Sequence, residues 1–432
     1  MTEFVGDPGD GGAATEIVIS DAPPVDAGTF CGRSDSGGAS GVSGCRITAS
    51  LARPTPAPAS KTNKSTGGGS TLQPVGVRPP ASLGQYALYD AADPTVLVDG
   101  QTYYIFSTSA HFMRVPLAVV SAEDLVPNGA SGFSIRSRIP KPFEAPQSDL
   151  GQDPNGFSSS IATSIPTSTT STSAPATEAA HDMTTDPAAV PRIEAMPERP
   201  PWARQDDIWA PTVARFGNEY VMFFAAKRPN PPDPANEECV GRAVSGHPGG
   251  PYVADPTPVT CGLGGVHGAL DPSVFRDRQT GRAFLHVAFG GTSTPLWSIP
   301  LTGDAHPSGA AVPLLKMQQR WETWFLENPS MIFNGVDYTL AYSAGRWSQG
   351  TYSTGVARCR TPVGPCASSP AGPWLAAVGA VSGPGGLDFF TAIDGSLMAV
   401  HHGYEAGREA AFGARHTFIR RAHADADTVT FP

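Results

Sequence analysis

The sequence has no apolar run near the roughly 20 residues that cross a bilayer as a helix, and it has no block of basic residues. Lys and Arg number 29 against 39 Asp and Glu, a formal net charge of -10. Nothing here attracts a polyanion, so nucleic acid and anionic membranes are excluded as expected partners. The start, Met1-Thr2-Glu3-Phe4-Val5, lacks the charged and apolar regions of a signal peptide. Cysteine is scarce: six residues form three local pairs, Cys31/Cys45, Cys239/Cys261 and Cys359/Cys366. None has C-x-x-C spacing and no histidine cluster accompanies them, which argues against zinc. The short separations favour three local disulfides, with scattered reduced thiols as the alternative. Disulfides in turn favour an extracellular or cell-envelope location despite the missing leader.

Glycine and proline are abundant, 48 and 44 residues, which suits many short strands joined by tight turns. Residues 1–80 are rich in Gly, Ser, Ala, Thr and Pro and read as a disordered segment, because such a composition buries too little apolar surface to offset chain entropy. Ser158–Ser173 is almost all Ser, Thr, Ile and Ala, and marks a low-complexity insertion over about 146–200. The remainder of 81–432 is expected to form one domain, and a monomer.

That domain repeats one pattern. Asp93-Pro94-Thr95-Val96-Leu97-Val98 turns at Asp99-Gly100 into Thr102-Tyr103-Tyr104-Ile105-Phe106, a hairpin signature. It recurs from Ala210-Pro211-Thr212-Val213, from Asp271-Pro272-Ser273-Val274 and from Glu327-Asn328-Pro329-Ser330, and in degenerate form from Gly386-Leu387-Asp388. Pro211, Pro272 and Pro329 stand 61 and 57 residues apart, and Gly386 follows 57 later. The gap from Pro94 to Pro211 is 117, two periods, and contains the insertion. A period of this size with a hairpin in each unit predicts an all-β, five-bladed β-propeller. Gly241–Ser245 and Gly355–Cys359 fit the third strand of their blades.

Three blade starts carry acids: Asp93, Asp271 and Glu327, read as occupying one register position, where the second blade has Ala210. The innermost strand of each blade lines the channel, so equivalent positions converge at one mouth. Like charges that converge raise at least one pKa, which keeps one carboxyl protonated beside another that is ionised. Acids before Pro or Asn-Pro that merely start strands are the plainer alternative.

The ordered series Ala92-Asp93-Pro94-Thr95-Val96, Asp207-Ile208-Trp209-Ala210-Pro211, Ala269-Leu270-Asp271-Pro272-Ser273-Val274-Phe275 and Leu326-Glu327-Asn328-Pro329 resembles glycoside hydrolase family 43, over about residues 84–431 without the insertion. Ser121-Ala122-Glu123-Asp124-Leu125 resembles a further stretch of that family. The resemblance implies an inverting glycosidase acting on arabinose- or xylose-containing carbohydrate. By position, Asp93 corresponds to the general base, Glu327 to the general acid and Asp271 to the carboxyl that tunes the acid's pKa. Inversion needs base and acid roughly 6.5–9.5 Å apart, leaving room for the attacking water. Trp209 is a candidate sugar platform or a core residue, and His267 a second substrate-site candidate. Family arabinanases often carry G-P-G-H, whose histidine helps to hold calcium. This chain has Gly383-Pro384-Gly385-Gly386, so His401 and His402 are the candidate ligands should Ca2+ be bound, against a role as packed core residues. The rival reading is a non-catalytic carbohydrate-binding propeller or a related five-bladed glycosidase for other sugars.

Overall fold

The computed structural model describes residues 72, 75–78, 80, 82–139, 182–184, 186–231, 237–263, 266–290, 296–410 and 413–432. The chain divides into two units, Met1–Gly68 and Gly69–Pro432, and the described residues all belong to the second.

Alternating apolar runs pair as antiparallel sheets in chain order, each beginning at one of the repeated motifs. Blade I is Thr95–Asp99, Thr102–Phe106, Pro116–Ser121 and Ile193–Glu194; blade II is Trp209–Phe216, Glu219–Lys227, Glu238–Ser245 and Val253–Ala254. Blade III runs Val266–Arg276, Ala283–Gly290, Leu296–Leu301 and Val312–Leu315, with Gly262–Leu263 added along its first strand. Blade IV is Leu326–Phe333, Tyr338–Ala344, Ser353–Cys359 and Cys366–Ser368. Blade V is Val381–Thr391, Leu397–Glu405 and His416–Arg421, completed by Gly132–Ile135 and Leu125–Asn128 from early in the chain. That borrowed hairpin closes the ring, through the pairs Ile419–Phe133 and Arg420–Gly132.

The all-β propeller expected from the repeats is present, but the sheet count exceeds the expected five. Beside the five sheets of four or five strands stands a sixth, three-stranded sheet of Gly76–Arg78, Thr428–Thr430 and His423–Ala424, and a two-stranded ribbon of Ser137–Ile139 and Asp182–Thr184. Five buried cores hold the ring, one between each neighbouring pair of blades. Leu97, Phe106, Met222 and Phe224 join I to II, and Val221, Phe223, Leu285 and Val287 join II to III. Phe284, Leu296, Leu340 and Tyr342 join III to IV, Ala341, Val356, Phe389 and Ala399 join IV to V, and Val400, Ile419, Val96 and Ile105 close V onto I.

The third-strand assignments hold, and packing explains their glycines. A Cβ on Gly241 would lie 2.4 Å from the rings of Phe224 and Trp202, and one on Gly355 would lie 2.5 Å from the Trp321 ring. In both blades a tryptophan from the preceding loop covers the glycine and stacks on an aromatic of the second strand: Trp202 on Phe224 at 5.8 Å and Trp321 on Tyr342 at 6.0 Å.

Two boundaries shift. The insertion expected to reach residue 200 ends earlier, because Ile193–Glu194 pairs with Pro116–Leu117 as the outer strand of blade I. The Glu194 carboxylate accepts from the backbone N–H of Arg114, Val115 and Met196, and Ala195 and Met196 are fully buried between blades I and II. Residues 140–181, including the Ser/Thr-rich run, lie outside the described residues. Most of the segment 1–80, with Cys31 and Cys45, does too, yet Gly76–Arg78 pairs in parallel with Thr428–Thr430 and Val75 is buried. The disulfides Cys239–Cys261 and Cys359–Cys366 are formed, with Cα separations of 4.0 and 4.1 Å.

Candidate active site

One residue near the start of each blade adopts a left-handed backbone: Asp93 (φ 46°), Ala210 (43°), Asp271 (47°), Asn328 (49°) and Gly386 (59°). In blades I to IV it precedes the motif proline, whose ring fixes the following φ. In blades II to V the ladder skips there. Leu270 pairs with Ala288 and Ser273 with His286, so Asp271 and Pro272 together oppose one residue. The same two-against-one bulge separates Trp209 from Thr212, Glu327 from Ser330 and Gly385 from Asp388. The bulge turns the left-handed residue toward the channel, and all five of these positions line the cavity at its mouth.

This geometry corrects the register read from the sequence. Asn328, not Glu327, is the equivalent of Asp93 and Asp271. Glu327 stands one residue earlier, paired with Ser343, in the position that Trp209 and Leu270 hold in their blades. The three acids still meet at one mouth: Asp93 and Asp271 line the cavity, and the charges of Asp93 and Glu327 act on Asp271.

Neighbouring blades are tied together at the left-handed residues. The N–H of Ala210 donates to Thr108 Oγ1 (3.0 Å), that of Gly386 to Ser343 Oγ (2.9 Å) and that of Asp93 to His402 Nδ1 (3.1 Å). Thr108, Ser343 and His402 hold one equivalent position, two residues past the second-strand partners Phe106, Ala341 and Val400. Blade III has Ala288 at that position, which offers no acceptor, and there the Asp271 carboxylate itself accepts from Asn328 N–H at 3.1 Å.

The surroundings of the three acids differ. Asp93 Oδ1 accepts from Arg415 Nη1 at 3.1 Å and lies 3.2 Å from His402 Nδ1, while Oδ2 accepts from Thr108 Oγ1 at 2.7 Å. Burial acts to raise its pKa, but the Arg415 charge and the Thr108 hydroxyl outweigh burial and hold this carboxyl well below the usual range. Among the described residues no cation contacts Glu327. Its Oε1 faces the Tyr352 hydroxyl at 2.6 Å, and burial, with the charges of Asp93 and Glu238 adding, pushes it up to about 7 against the Tyr352 hydrogen bond and the more distant Arg415. Burial likewise raises Asp271 well above its ordinary value, and Glu327 and Asp93 add to the rise. With both carboxyls raised, Asp271 and Glu327 hold a proton near neutral pH while Asp93 is a carboxylate. This arrangement places an ionised and a protonated carboxyl at one channel mouth.

The sequence pattern of the glycosyl hydrolases family 43 matches residues 187–429, more than half of the chain. The chain belongs to that family. Among curated relatives, xylosidase/arabinosidase 43A of Humicola insolens is 28% identical over 141 residues, which cover 30% of this chain and 38% of that protein. The match thus spans well under two thirds of the relative's length. Among solved structures, an alpha-L-arabinofuranosidase from Lactobacillus brevis is similar with a TM-score of 0.54 at 15% identity, covering 80% of this chain and 94% of that one. The Cellvibrio cellulosa alpha-L-arabinanase complexed with arabinohexaose has a TM-score of 0.52 at 15% identity, covering 79% and 95%. At these identities the likeness shows the shared propeller fold.

A Cβ at Gly386 would lie 2.5 Å from His402 Nδ1 and 3.0 Å from Asp93 Oδ1, so the His402 ring and the Asp93 carboxylate fill the space that a side chain at Gly386 would take. Burial, and then the Arg415 charge, lower the His402 pKa and keep the ring neutral. His401, named with His402 as a metal ligand, points to the opposite face of the strand. It stacks on Phe418 at 5.1 Å and is buried there, so the two rings cannot share an ion. Among the described residues no three His, Cys, Asp or Glu side chains gather as a metal site, and no chemical step below is routed through calcium. Trp209 is half-buried, outside the five cores, with Lys227 Nζ 5.7 Å from its ring. His267 pairs with Gly290 at the start of blade III; its side chain lies outside those described. Sequence reasoning missed Arg415, Tyr352 and Thr108. They lie where the second and third strands meet the mouth, and carry no motif that repeats with the blades.

Proposed function

We propose that the chain is a glycosidase that hydrolyses arabinose- or xylose-containing oligosaccharides or polysaccharides with inversion of configuration. The observation that carries this reading is the contrast between Asp93, held far below the usual carboxyl range, and Glu327, pushed up to about 7 at the same mouth. The names of its relatives supply the sugar class: a xylosidase/arabinosidase, an arabinofuranosidase and an arabinanase. In this mechanism Asp93 takes a proton from a water aligned with the anomeric carbon. Arg415 and Thr108 keep that carboxylate ionised and oriented. Glu327 protonates the departing oxygen, and Asp271 shares the proton load of the pair. Trp209 offers a ring face for a sugar. A propeller that only bound sugar would have no need of two carboxyls in opposite protonation states. With two disulfides in place, we place the enzyme in an oxidising, extracellular or envelope compartment.

The experiment is a panel of p-nitrophenyl pentosides with linear arabinan and xylan, products being followed by chromatography and their anomeric form by NMR. Release of pentose or pentose oligomers with the inverted anomer supports the reading. Binding without turnover on every substrate would replace it with the binding-propeller alternative.

A further inference from the structure

Tyr352 stands just before the third strand of blade IV, and its phenol oxygen faces two acceptors at once. Glu327 Oε1 lies at 2.6 Å and Asn328 Oδ1 at 2.7 Å. A phenol carries one proton, so it cannot donate to both. The ring cannot move aside to choose. It is 1% exposed, fills the space where a Cβ on Gly385 would lie 2.0 Å from a ring carbon, and stacks on His402 with centroids 5.9 Å apart and planes 2° apart. With the Asn328 amide oxygen turned to the phenol, two hydrogen-bond patterns remain. If Glu327 is protonated, it donates to the phenol oxygen, the phenol donates to Asn328 Oδ1, and every atom is served. If Glu327 is ionised, it accepts the phenol hydrogen bond and Asn328 Oδ1 loses that donor.

We infer that Tyr352 and Asn328 are positioning residues that form a hydrogen-bond switch on the general acid: Asn328 draws the phenol proton and so favours the protonated form of Glu327, and Tyr352 turns its proton onto Glu327 once that carboxyl has given its own away. The inference rests on the proposed role of Glu327. As the glycosidic C–O bond breaks, the Glu327 proton moves to the leaving oxygen. The phenol O–H then rotates from Asn328 to the new carboxylate, and no further co-reactant is needed. The return stroke re-forms the first pattern when Glu327 regains a proton. Burial, and after it the Glu327 charge, raise Tyr352 well above the ordinary phenol value, so it rotates its proton without releasing it. The other groups acting on Glu327 are the carboxyls of Asp93, Asp271 and Glu238, the last paired with Lys227, and the Arg415 guanidinium; His402 behind the phenol is neutral.

The two residues pull the Glu327 pKa in opposite directions, which a purely structural role would not do. Asn328→Gly keeps the left-handed backbone and the N–H to Asp271, as Gly386 does in blade V, but removes the competing acceptor. The phenol is then free for the carboxylate, and the alkaline limb of kcat/KM on an unactivated oligosaccharide should fall by roughly half to one pH unit. Tyr352→Phe keeps the ring packing and removes the donor, so the same limb should rise by a similar amount. The infrared band of the protonated carboxyl, assigned by its loss in Glu327→Gln, should titrate with the same two shifts and needs no turnover. Opposite shifts support the switch. Shifts in the same direction, or none in either variant, overturn it. An inactive wild-type protein whose infrared titration still moves both ways would remove the glycosidase reading and leave the switch intact.

Discussion

The two halves of the channel mouth hold the same kind of group and treat it in opposite ways. Blades V and I surround Asp93 with a guanidinium, a hydroxyl and an imidazole; blades III and IV give Asp271 one backbone N–H and Glu327 one phenol. Burial does not distinguish them, since it is the largest influence on all three carboxyls and pushes all three upward. The difference is the countercharge. Asp93 has Arg415 in contact and is pulled below its ordinary value, while among the described residues no cation contacts the other two. One half of the mouth is built to keep a charge, the other to keep a proton.

Removing either charge carrier breaks the comparison most completely. Asp93→Asn and Glu327→Gln should each cost about two to four orders of magnitude in kcat/KM on a natural oligosaccharide. The losses should differ in kind. Glu327→Gln should be largely spared on an aryl pentoside whose leaving group needs no proton, while Asp93→Asn should be poor on every substrate. Equal losses on both substrates would mean that the two carboxyls do not have separate roles.

Arg415→Met attacks the countercharge directly. Activity requires ionised Asp93, so it falls as the pH drops through the Asp93 pKa. Without the guanidinium that pKa rises, and the acid limb of the pH–rate profile should move up by roughly one to three units. The alkaline limb, which reports the protonated pair, should move less. The Trp347 ring, 5.1 Å from the guanidinium, would lose its cation as well, so a raised KM is expected alongside.

The propeller was readable because its constraint is local and repeated. A left-handed residue followed by proline starts four of the blades, and Pro94, Pro211, Pro272 and Pro329 mark them in the chain. The acids were readable for the same reason, but the register of one was not. Aligning the blades on proline puts Asn328 beside Asp93 and Asp271, and reading charge alone put Glu327 there. A carboxyl one residue off register points along a different bond, which is why it meets Tyr352 rather than a partner from the next blade. The end of the insertion was hidden because Ile193–Glu194 is a two-residue strand with no alternating pattern of its own. Arg415 and Tyr352 hold equivalent places, two residues before the third-strand partners of His402 and Ser343, but their residue types differ, so no motif repeats there to betray them.

The proton-keeping half can be tested without turnover. Glu327 rises from 4.5 to about 7 on folding, so between these values the folded state binds more protons than the unfolded one, and stability falls as the pH rises through that window. Glu327→Gln does not titrate there. Its stability relative to wild type should therefore improve by roughly 3 kcal/mol between pH 4.5 and pH 8, measured by denaturant unfolding at each pH. A difference independent of pH would show that folding does not raise this carboxyl.

The smallest effect belongs to Thr108, whose hydroxyl serves both the charge and the frame. The hydroxyl donates its O–H to Asp93 Oδ2 and accepts from the Ala210 N–H of the next blade. Thr108→Val keeps the shape and removes both bonds, while Thr108→Ser keeps both. In the valine variant Asp93 loses one stabilising donor but retains Arg415, so the acid limb should rise by about one pH unit at most. The stranded Ala210 N–H should cost roughly 1–3 kcal/mol of stability. The serine variant should show neither change. Because the Thr108 hydroxyl bonds to Asp93 of blade I and Ala210 of blade II, the alkaline limb should stay where it is in both variants. A valine variant that moved both limbs equally would show that the two halves of the mouth are electrostatically one site, and the contrast between a charge-keeping and a proton-keeping half would fail.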